Sequence, residues 1–336
     1  YEICACLVGS EMCIRDRACV MERPCAWKKY TPQQIEELEE LCRGYKQFLS
    51  ENKTERLCVK AGIKMAEEAG YVDLETVIAE GRELKAGDKV YAANHGKDLM
   101  LVNLGTAPLE QGFNILGAHV DSPRLDLKQN PAFEAGDMAY LDTHYYGGIK
   151  KYQWTCIPLA LIGVVYTKDG RKVEINIGLK DSDPVFYISD LLIHMAQDQM
   201  KKSLAEGITG EQLQPIIATN SDENQKPKEA LMKMFKDTYG IEEEDFAAAE
   251  LELVPAEKSR DVGFDRSLIA SYGQDDRVCS YANLEAILDA KPGVKTQAAL
   301  LTDKEEIGSY GNTGMESSYF CLLYTSPSPR DMRRSR

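Results

Sequence analysis

The sequence predicts an α/β fold, a mixed sheet flanked by helices and interrupted by an inserted β-rich domain. Three observations carry this. Residues 31–70 repeat apolar side chains at helical spacing, residues 90–119 break into apolar runs of strand length, and residues 273–301 give a helix and then a strand. Between the last two regions, residues 130–255 change texture, which marks them as the insertion.

Each element has a local cause. Thr31-Pro32-Gln33-Gln34 supplies an N-cap, a proline at the first helical position and a glutamine at N3. Ile35, Leu38, Leu41, Cys42, Tyr45, Phe48 and Leu49 then form one apolar stripe. A second helix begins at Thr54 with Glu55 in its first turn, carries Leu57, Cys58, Ala61, Met65 and Ala69, and stops at Gly70. Residues 73–83 read as a third, shorter helix and Gly87-Asp88 as a turn. The runs 90–93, 99–104 and 113–119 form a meander, separated by Asn94-His95-Gly96-Lys97 and by a loop containing proline and glycine.

Within the insertion, strands at 152–166 and 173–179 flank Lys168-Asp169-Gly170-Arg171, a hairpin signal. Residues 189–206 and 226–239 read as helices, with 220–227 a polar loop. Glu242-Glu243-Glu244-Asp245 reads as a solvated turn or helix start. Residues 278–288 predict another helix and 298–301 a strand. The expected organisation is therefore 31–129, the insertion 130–255, and 256–321.

A chain of 336 residues is long enough for two domains. Its net charge of −14 excludes nucleic acid and an anionic membrane surface as natural partners, since both repel it. No apolar run approaches the roughly 18 residues of a membrane span. Five of the ten cysteines (Cys4, Cys6, Cys13, Cys19 and Cys25) crowd the N-terminus, none forms a C-x-x-C pair, and charges interrupt any secretory leader, so the expected location is a reducing cytoplasm. Residues 1–30 and the basic, Pro/Ser-rich 322–336 match nothing between them. They resemble translated adapter read-through, with disordered tails as the alternative; Met21 is then the expected native start, and the native C-terminal part is expected to be missing.

The chemistry concentrates in three clusters. In Gly117-Ala118-His119-Val120-Asp121-Ser122-Pro123-Arg124, at a strand tip, His119 and Asp121 lie two apart, so an extended backbone turns them to one face. The carboxylate can then accept the second N–H of a metal-binding imidazole. Asp275-Asp276-Arg277 opens a helix, where carboxylates suit the dipole as caps and also suit a cation as ligands. Glu305-Glu306 follows a strand, and adjacent glutamates diverge enough to serve two tasks. Ligand sites of α/β sheets gather at such strand ends. One histidine with several carboxylates suits zinc, manganese or cobalt, in particular a pair bridged by one carboxylate. Two metals about 3.5–4 Å apart can activate water and stabilise an oxyanion, while a glutamate moves the proton to a leaving amine. That chemistry is amide hydrolysis.

These three motifs resemble the signatures of the aspartyl aminopeptidase and vacuolar aminopeptidase I family. The similarity extends to Lys53-Thr54-Glu55-Arg56 and Tyr146-Gly147-Gly148 and spans about residues 27–321. The resemblance implies a zinc-peptidase-type α/β domain with a pair of Zn2+ ions, with Mn2+ or Co2+ as possible replacements. It also implies peptide substrates, and residues 130–255 as a dimerisation domain from which dimers assemble into a dodecamer. Carried across, His119 binds one metal and Asp121 orients it, Asp275 is the bridging carboxylate with Asp276 its polar neighbour, Glu305 is the general base, and Glu306 binds the second metal. Chemistry alone does not separate Glu305 from Glu306.

The departures shape the expectation too. The family completes its metal pair with an aspartate and a histidine after the Glu-Glu motif, whereas the last histidine here is His194. A truncated piece with little or no peptidase activity is the expectation. Tyr152 stands where aspartyl aminopeptidases carry a substrate-pocket histidine, and His144 reads as exposed or structurally paired. Two rival readings are a related deblocking or glutamyl aminopeptidase with the same motif order, which the insertion disfavours, and a non-catalytic assembly protein that binds metal poorly.

Overall fold

The computed structural model describes residues 25–219 and 226–324, in two units divided after Gly44. The expectations for the extreme ends, and most of the loop at 220–227, lie outside the described residues. In the first unit a short turn, Ala26–Lys28, precedes the start of helix α1 (Pro32–Glu51). Gln34 N donates to Thr31 Oγ1 (3.3 Å) while Thr31 N donates to Gln34 Oε1 (3.0 Å), the reciprocal cap anticipated from the sequence.

The second unit takes in the last turns of α1, then α2 (Glu55–Glu68), β1 (Val72–Asp73), α3 (Leu74–Ala79), β2 (Lys89–Asn94), β3 (Asp98–Asn103) and β4 (Asn114–His119). There follow β5 (Arg124–Ala135), β6 (Met138–Tyr146), β7 (Pro158–Tyr166), β8 (Lys172–Ile177), β9 (Phe186–Tyr187), α4 (Leu204–Gly207), β10 (Ile216–Thr219), α5 (Pro227–Tyr239) and β11 (Ala249–Pro255). The chain continues through β12 (Arg260–Val262), β13 (Leu268–Ala270), α6 (Gln274–Asp289), β14 (Gln297–Thr302) and α7 (Tyr319–Tyr324).

The first sheet has the order β1-β2-β3-β14-β4 and is mixed, because β14 runs antiparallel to β3 and parallel to β4. That parallel pairing sets Thr302 beside His119, so the two strands deliver their following turns to the same end of the sheet. Leu99, Leu101 and Leu301 bury one face under Cys58 and Val59 of α2 and Leu284 and Ile287 of α6. The helix can approach that closely because Gly62 has no side chain: a Cβ there would lie 2.7 Å from Leu99 Cδ2. As the edge strand, β4 leaves Ile115 and Leu116 nearly half exposed and buries only its His119 end.

The second sheet has the order β11-β5-β6-β10-β9-β7-β8, and β11 pairs with β7 as well, so six strands close on themselves with β8 added outside. Leu125, Leu159, Leu161, Leu251 and Leu253 fill its core with Phe235 of α5. Strands β5 and β6 were not anticipated, and the sheet opens at Arg124. The expected hairpin forms between β7 and β8, with Gly170 at φ +84° supplying its turn.

Residues 189–206 depart most from expectation: where a helix was expected, turns lead only to the four-residue α4. Leu191, Leu192 and Ile193 are consecutive, and all three are exposed, so no buried stripe stabilises a helix there. The third helix stops at Ala79, just before Gly81 at φ +63°. The acidic run is the start of a short 3-10 helix (Glu243–Ala248), but Asp245 is buried and accepts Glu242 N (2.9 Å) and Lys168 N (3.0 Å). Among the described residues no helix is long and apolar enough to cross a membrane.

Leu99 lies under both helices with no exposed surface. Leu99→Ala is expected to destabilise the chain by about 3 kcal/mol, read as a lower urea midpoint at unchanged slope.

Candidate metal centre

Three segments converge at the end of the first sheet. His119 closes β4 and is 9 % exposed. After β14 the chain turns through Lys304 at φ +68° into the short turn Glu305–Ile307. That turn is braced from below, where Asp303 N donates to Asp98 Oδ1 (2.9 Å) and Thr313 Oγ1 donates to Asp303 Oδ2 (2.7 Å).

The third segment is the start of α6. Asp275 and Asp276, joined by a cis peptide, keep non-helical backbone angles there. Ser122 Oγ donates to the Asp275 carbonyl (3.0 Å) and Ser280 Oγ to the His119 carbonyl (2.7 Å), which ties α6 to the tip of β4. Arg277 points away from the acids. Its fully buried guanidinium donates to Lys53 O (2.7 Å) and packs where a Cβ on Gly273 would come within 2.0 Å of Nη1. Gly273 is required twice, for that space and for its φ of +73°.

His119 Nδ1 lies 3.2 Å from Asp121 Oδ1 and 3.1 Å from the Asp121 carbonyl oxygen. Both neighbours are acceptors, so Nδ1 carries a proton. On the other side, His119 Nε2 faces Asp275 Oδ1 at 3.3 Å and Glu305 Oε2 at 3.7 Å. Asp121 is fully buried: its Oδ1 also accepts Glu305 N (3.2 Å), and its Oδ2 accepts Glu306 N (3.2 Å) and the Tyr146 hydroxyl (2.7 Å). The side chain of Glu306 lies against Gly147, where a Cβ would meet Glu306 Cβ at 3.2 Å.

The electrostatics follow. Burial disfavours the imidazolium, but the bond to Asp121 and the charges of Asp121 and Glu305 outweigh it, holding His119 up at about 9. Burial would raise Asp121, yet its bonds from His119, Tyr146 and the Glu306 amide hold it below the ordinary carboxylate range. Glu306 is raised by burial and then by the charge of Asp121, with Asp275 and Glu305 adding to the repulsion.

An imidazole Nε2 among crowded carboxylates is a donor set that a divalent cation fits in kind. Among the described residues, however, no three His, Cys, Asp or Glu side chains already form a group that could hold a metal ion, and the Asp275 side chain is 88 % exposed. Of the five site residues expected, His119, Asp121, Asp275 and Glu305 meet through side-chain atoms, while Glu306 joins Asp121 through its amide.

A cleft of about 530 Å³ adjoins the centre, lined by Gly148, Ile149, Gln153, Trp154, Tyr272 and Asp275 among others. Tyr152 is absent from that lining, and His144 is exposed and stacked on Tyr145, with ring centroids 5.5 Å apart. Sequence reasoning missed the parts played by Tyr146, Arg124 and Glu55. All three stood inside quoted motifs, but nothing local showed what they touch.

Fold and donor set together define an α/β protein with a carboxylate-backed histidine among acids at its strand ends. Residues 48–325 match the family model described as aminopeptidase I zinc metalloprotease (M18), and the chain belongs to that family. It is 52% identical to the Probable M18 family aminopeptidase 1 of Clostridium acetobutylicum over 299 residues, which are 88% of this chain and 64% of that protein. The crystal structure of aminopeptidase I from Clostridium acetobutylicum superposes with a TM-score of 0.83 at 50% identity, covering 90% of this chain and 68% of that one. An M18-family aminopeptidase from Thermotoga maritima gives a TM-score of 0.83 at 42% identity, covering 90% and 66%. The chain thus spans just under two thirds of the length of the Clostridium protein.

The brace beneath the Glu305 turn has its own signature. Burial pushes Asp98 up to about 7, above its ordinary value near 3.8. A carboxyl raised in the fold contributes its full stability below pH 4 and loses it as the pH rises through 7. Asp98→Asn is expected to abolish roughly 2–4 kcal/mol of the stability change between pH 4 and 8, measured by urea unfolding across that range.

Proposed function

We propose that the protein of which this chain is part is a metal-dependent aminopeptidase that hydrolyses N-terminal residues from peptides. The observation that carries the reading is His119, locked on Asp121 through Nδ1 and presenting Nε2 to Asp275 and Glu305. Family membership supports it. His119, Asp275 and Glu306 would hold zinc, with Asp121 fixing the imidazole. When bound, a zinc pair would ease deprotonation of a water and offset charge developing on the carbonyl oxygen.

The chain's own groups do the rest. The Glu305 side chain is 59 % exposed, so its carboxylate can reach a water beside Nε2, take its proton and return that proton to the leaving amine. The adjoining cleft would receive the substrate's N-terminal residue, with Trp154 and Ile149 supplying apolar wall.

Residues 31–129 and 256–321 would form the catalytic part and 130–255 an assembly domain for homo-oligomers. The exposed Leu191, Leu192, Ile193, Met195, Met200 and Leu204 of that segment support an interface between copies. Free thiols at Cys25, Cys58, Cys156 and Cys279 support a reducing, cytoplasmic setting. The acidic net charge speaks against nucleic-acid and membrane partners.

In the whole protein, Glu305→Gln is expected to leave zinc content unchanged and lower kcat on aminoacyl-nitroanilides by about 10²–10⁴-fold. His119→Ala is expected to lower zinc content itself, read by elemental analysis. Full turnover in Glu305→Gln, or undiminished zinc in His119→Ala, sinks the reading.

A further inference from the structure

We infer that Tyr146 is a positioning residue: its hydroxyl fixes the Asp121 carboxylate so that one group can hold both His119 and the Glu305–Glu306 turn. The inference rests on the metal-centre reading above but makes a claim that can be checked without metal.

Tyr146 ends β6 and belongs to the second sheet, whereas His119 ends a strand of the first and Glu305 follows another. Its ring is buried and its hydroxyl donates to Asp121 Oδ2 at 2.7 Å, the shortest bond that carboxylate receives. The ring is held in place. Across the β5–β6 ladder Tyr146 pairs with Arg124, whose guanidinium carbon lies 3.8 Å from the ring centroid. Arg124 is itself held by Asp126 (2.7 Å), Glu55 (3.4 Å) and Glu252 (3.4 Å). A phenol clamped from behind can aim its O–H in few directions, and Asp121 stands in one of them.

The consequence is geometric. Four donors divide evenly over Asp121: His119 and Glu305 N on Oδ1, Tyr146 and Glu306 N on Oδ2. Without the hydroxyl, Oδ2 keeps only an amide at 3.2 Å, and the carboxylate is free to rotate away from His119 or from the turn. Partners that orient a metal-binding histidine typically change metal affinity by about 10–100-fold when removed.

The test compares wild type, Tyr146→Phe and a chain with 4-aminophenylalanine at position 146, each as the full chain. Residue-resolved hydrogen exchange on the metal-free proteins is expected to show the Glu305 and Glu306 amides exchanging at least about tenfold faster in Tyr146→Phe, while Leu99–Leu101 of β3 stay as protected as in wild type. Zinc titration is expected to show about 10–100-fold weaker binding in Tyr146→Phe, partly restored by the amino analogue, which keeps ring and donor. Unchanged exchange at Glu305 and Glu306 overturns the inference, as does a uniform acceleration that includes β3. Faster local exchange in the chain, where the wild-type whole protein takes up no zinc, supports the positioning role while overturning the metal-centre reading. Should Tyr146→Phe not fold, wild type is compared with the amino analogue alone, where the weaker donor is expected to speed exchange at the turn several-fold and equal rates overturn the proposal.

Discussion

A single buried carboxylate, Asp121, decides where the centre's parts stand. Removing a charge from water is costly unless hydrogen bonds replace the lost hydration. Asp121 meets that demand with donors from three places: the tip of β4, the turn after β14, and the end of β6. Since the carboxylate is satisfied only when all three arrive together, its burial sets their mutual placement. His119 thereby has its tautomer chosen, and Glu305 and Glu306 have their backbone fixed while their side chains remain available.

Behind Asp121 stands a second set of buried charges that joins the two sheets. Glu55 of α2, with no exposed surface, lies 3.2 Å from Lys97 beside β3 and 3.4 Å from Arg124 of β5. Burial opposes its charge, but Arg124 and Lys97 hold it well below the ordinary range. Glu252 of β11 shares the site and is pushed up by burial, with the Glu55 charge adding to it. Two carboxylates buried side by side do not both ionise cheaply, so one keeps its charge for the cations and the other keeps a proton. Such a cluster adds little net stability, but mispairing any member leaves a bare charge inside, which makes the arrangement specific.

Much of this architecture was legible in the sequence where local physics decides. The caps at Thr31 and Thr54, the strands ending at His119 and Thr302, and the hairpin at Gly170 all follow from turn chemistry and periodicity. What failed was set by distant contacts. Leu125 and Leu127 alternate with polar residues as a strand should, but the alternation is short, and only pairing with β6 makes β5 visible. Residues 189–206 have helical composition but no partner to bury a stripe against. In the site, the pairing of His119 with Asp121 could be foreseen from a two-residue spacing. The link from Glu55 through Arg124 and Tyr146 could not, because its members lie far apart in the chain and each looks, alone, like an ordinary cap, surface charge or strand aromatic.

The charge balance at His119 gives the acids around it a common logic. Asp121, Asp275 and Glu305 would repel one another if nothing positive stood among them, and the imidazolium, held near 9, supplies that charge at neutral pH. A divalent cation at Nε2 would supply the same charge and more in place of the Nε2 proton, while the Nδ1 proton would stay on the ring, donated to Asp121. Protonated ring and bound cation are therefore alternatives for one electrostatic task. Glu306 is raised first by burial and then by the charges of Asp121, Asp275 and Glu305, which the charge of His119 only partly offsets.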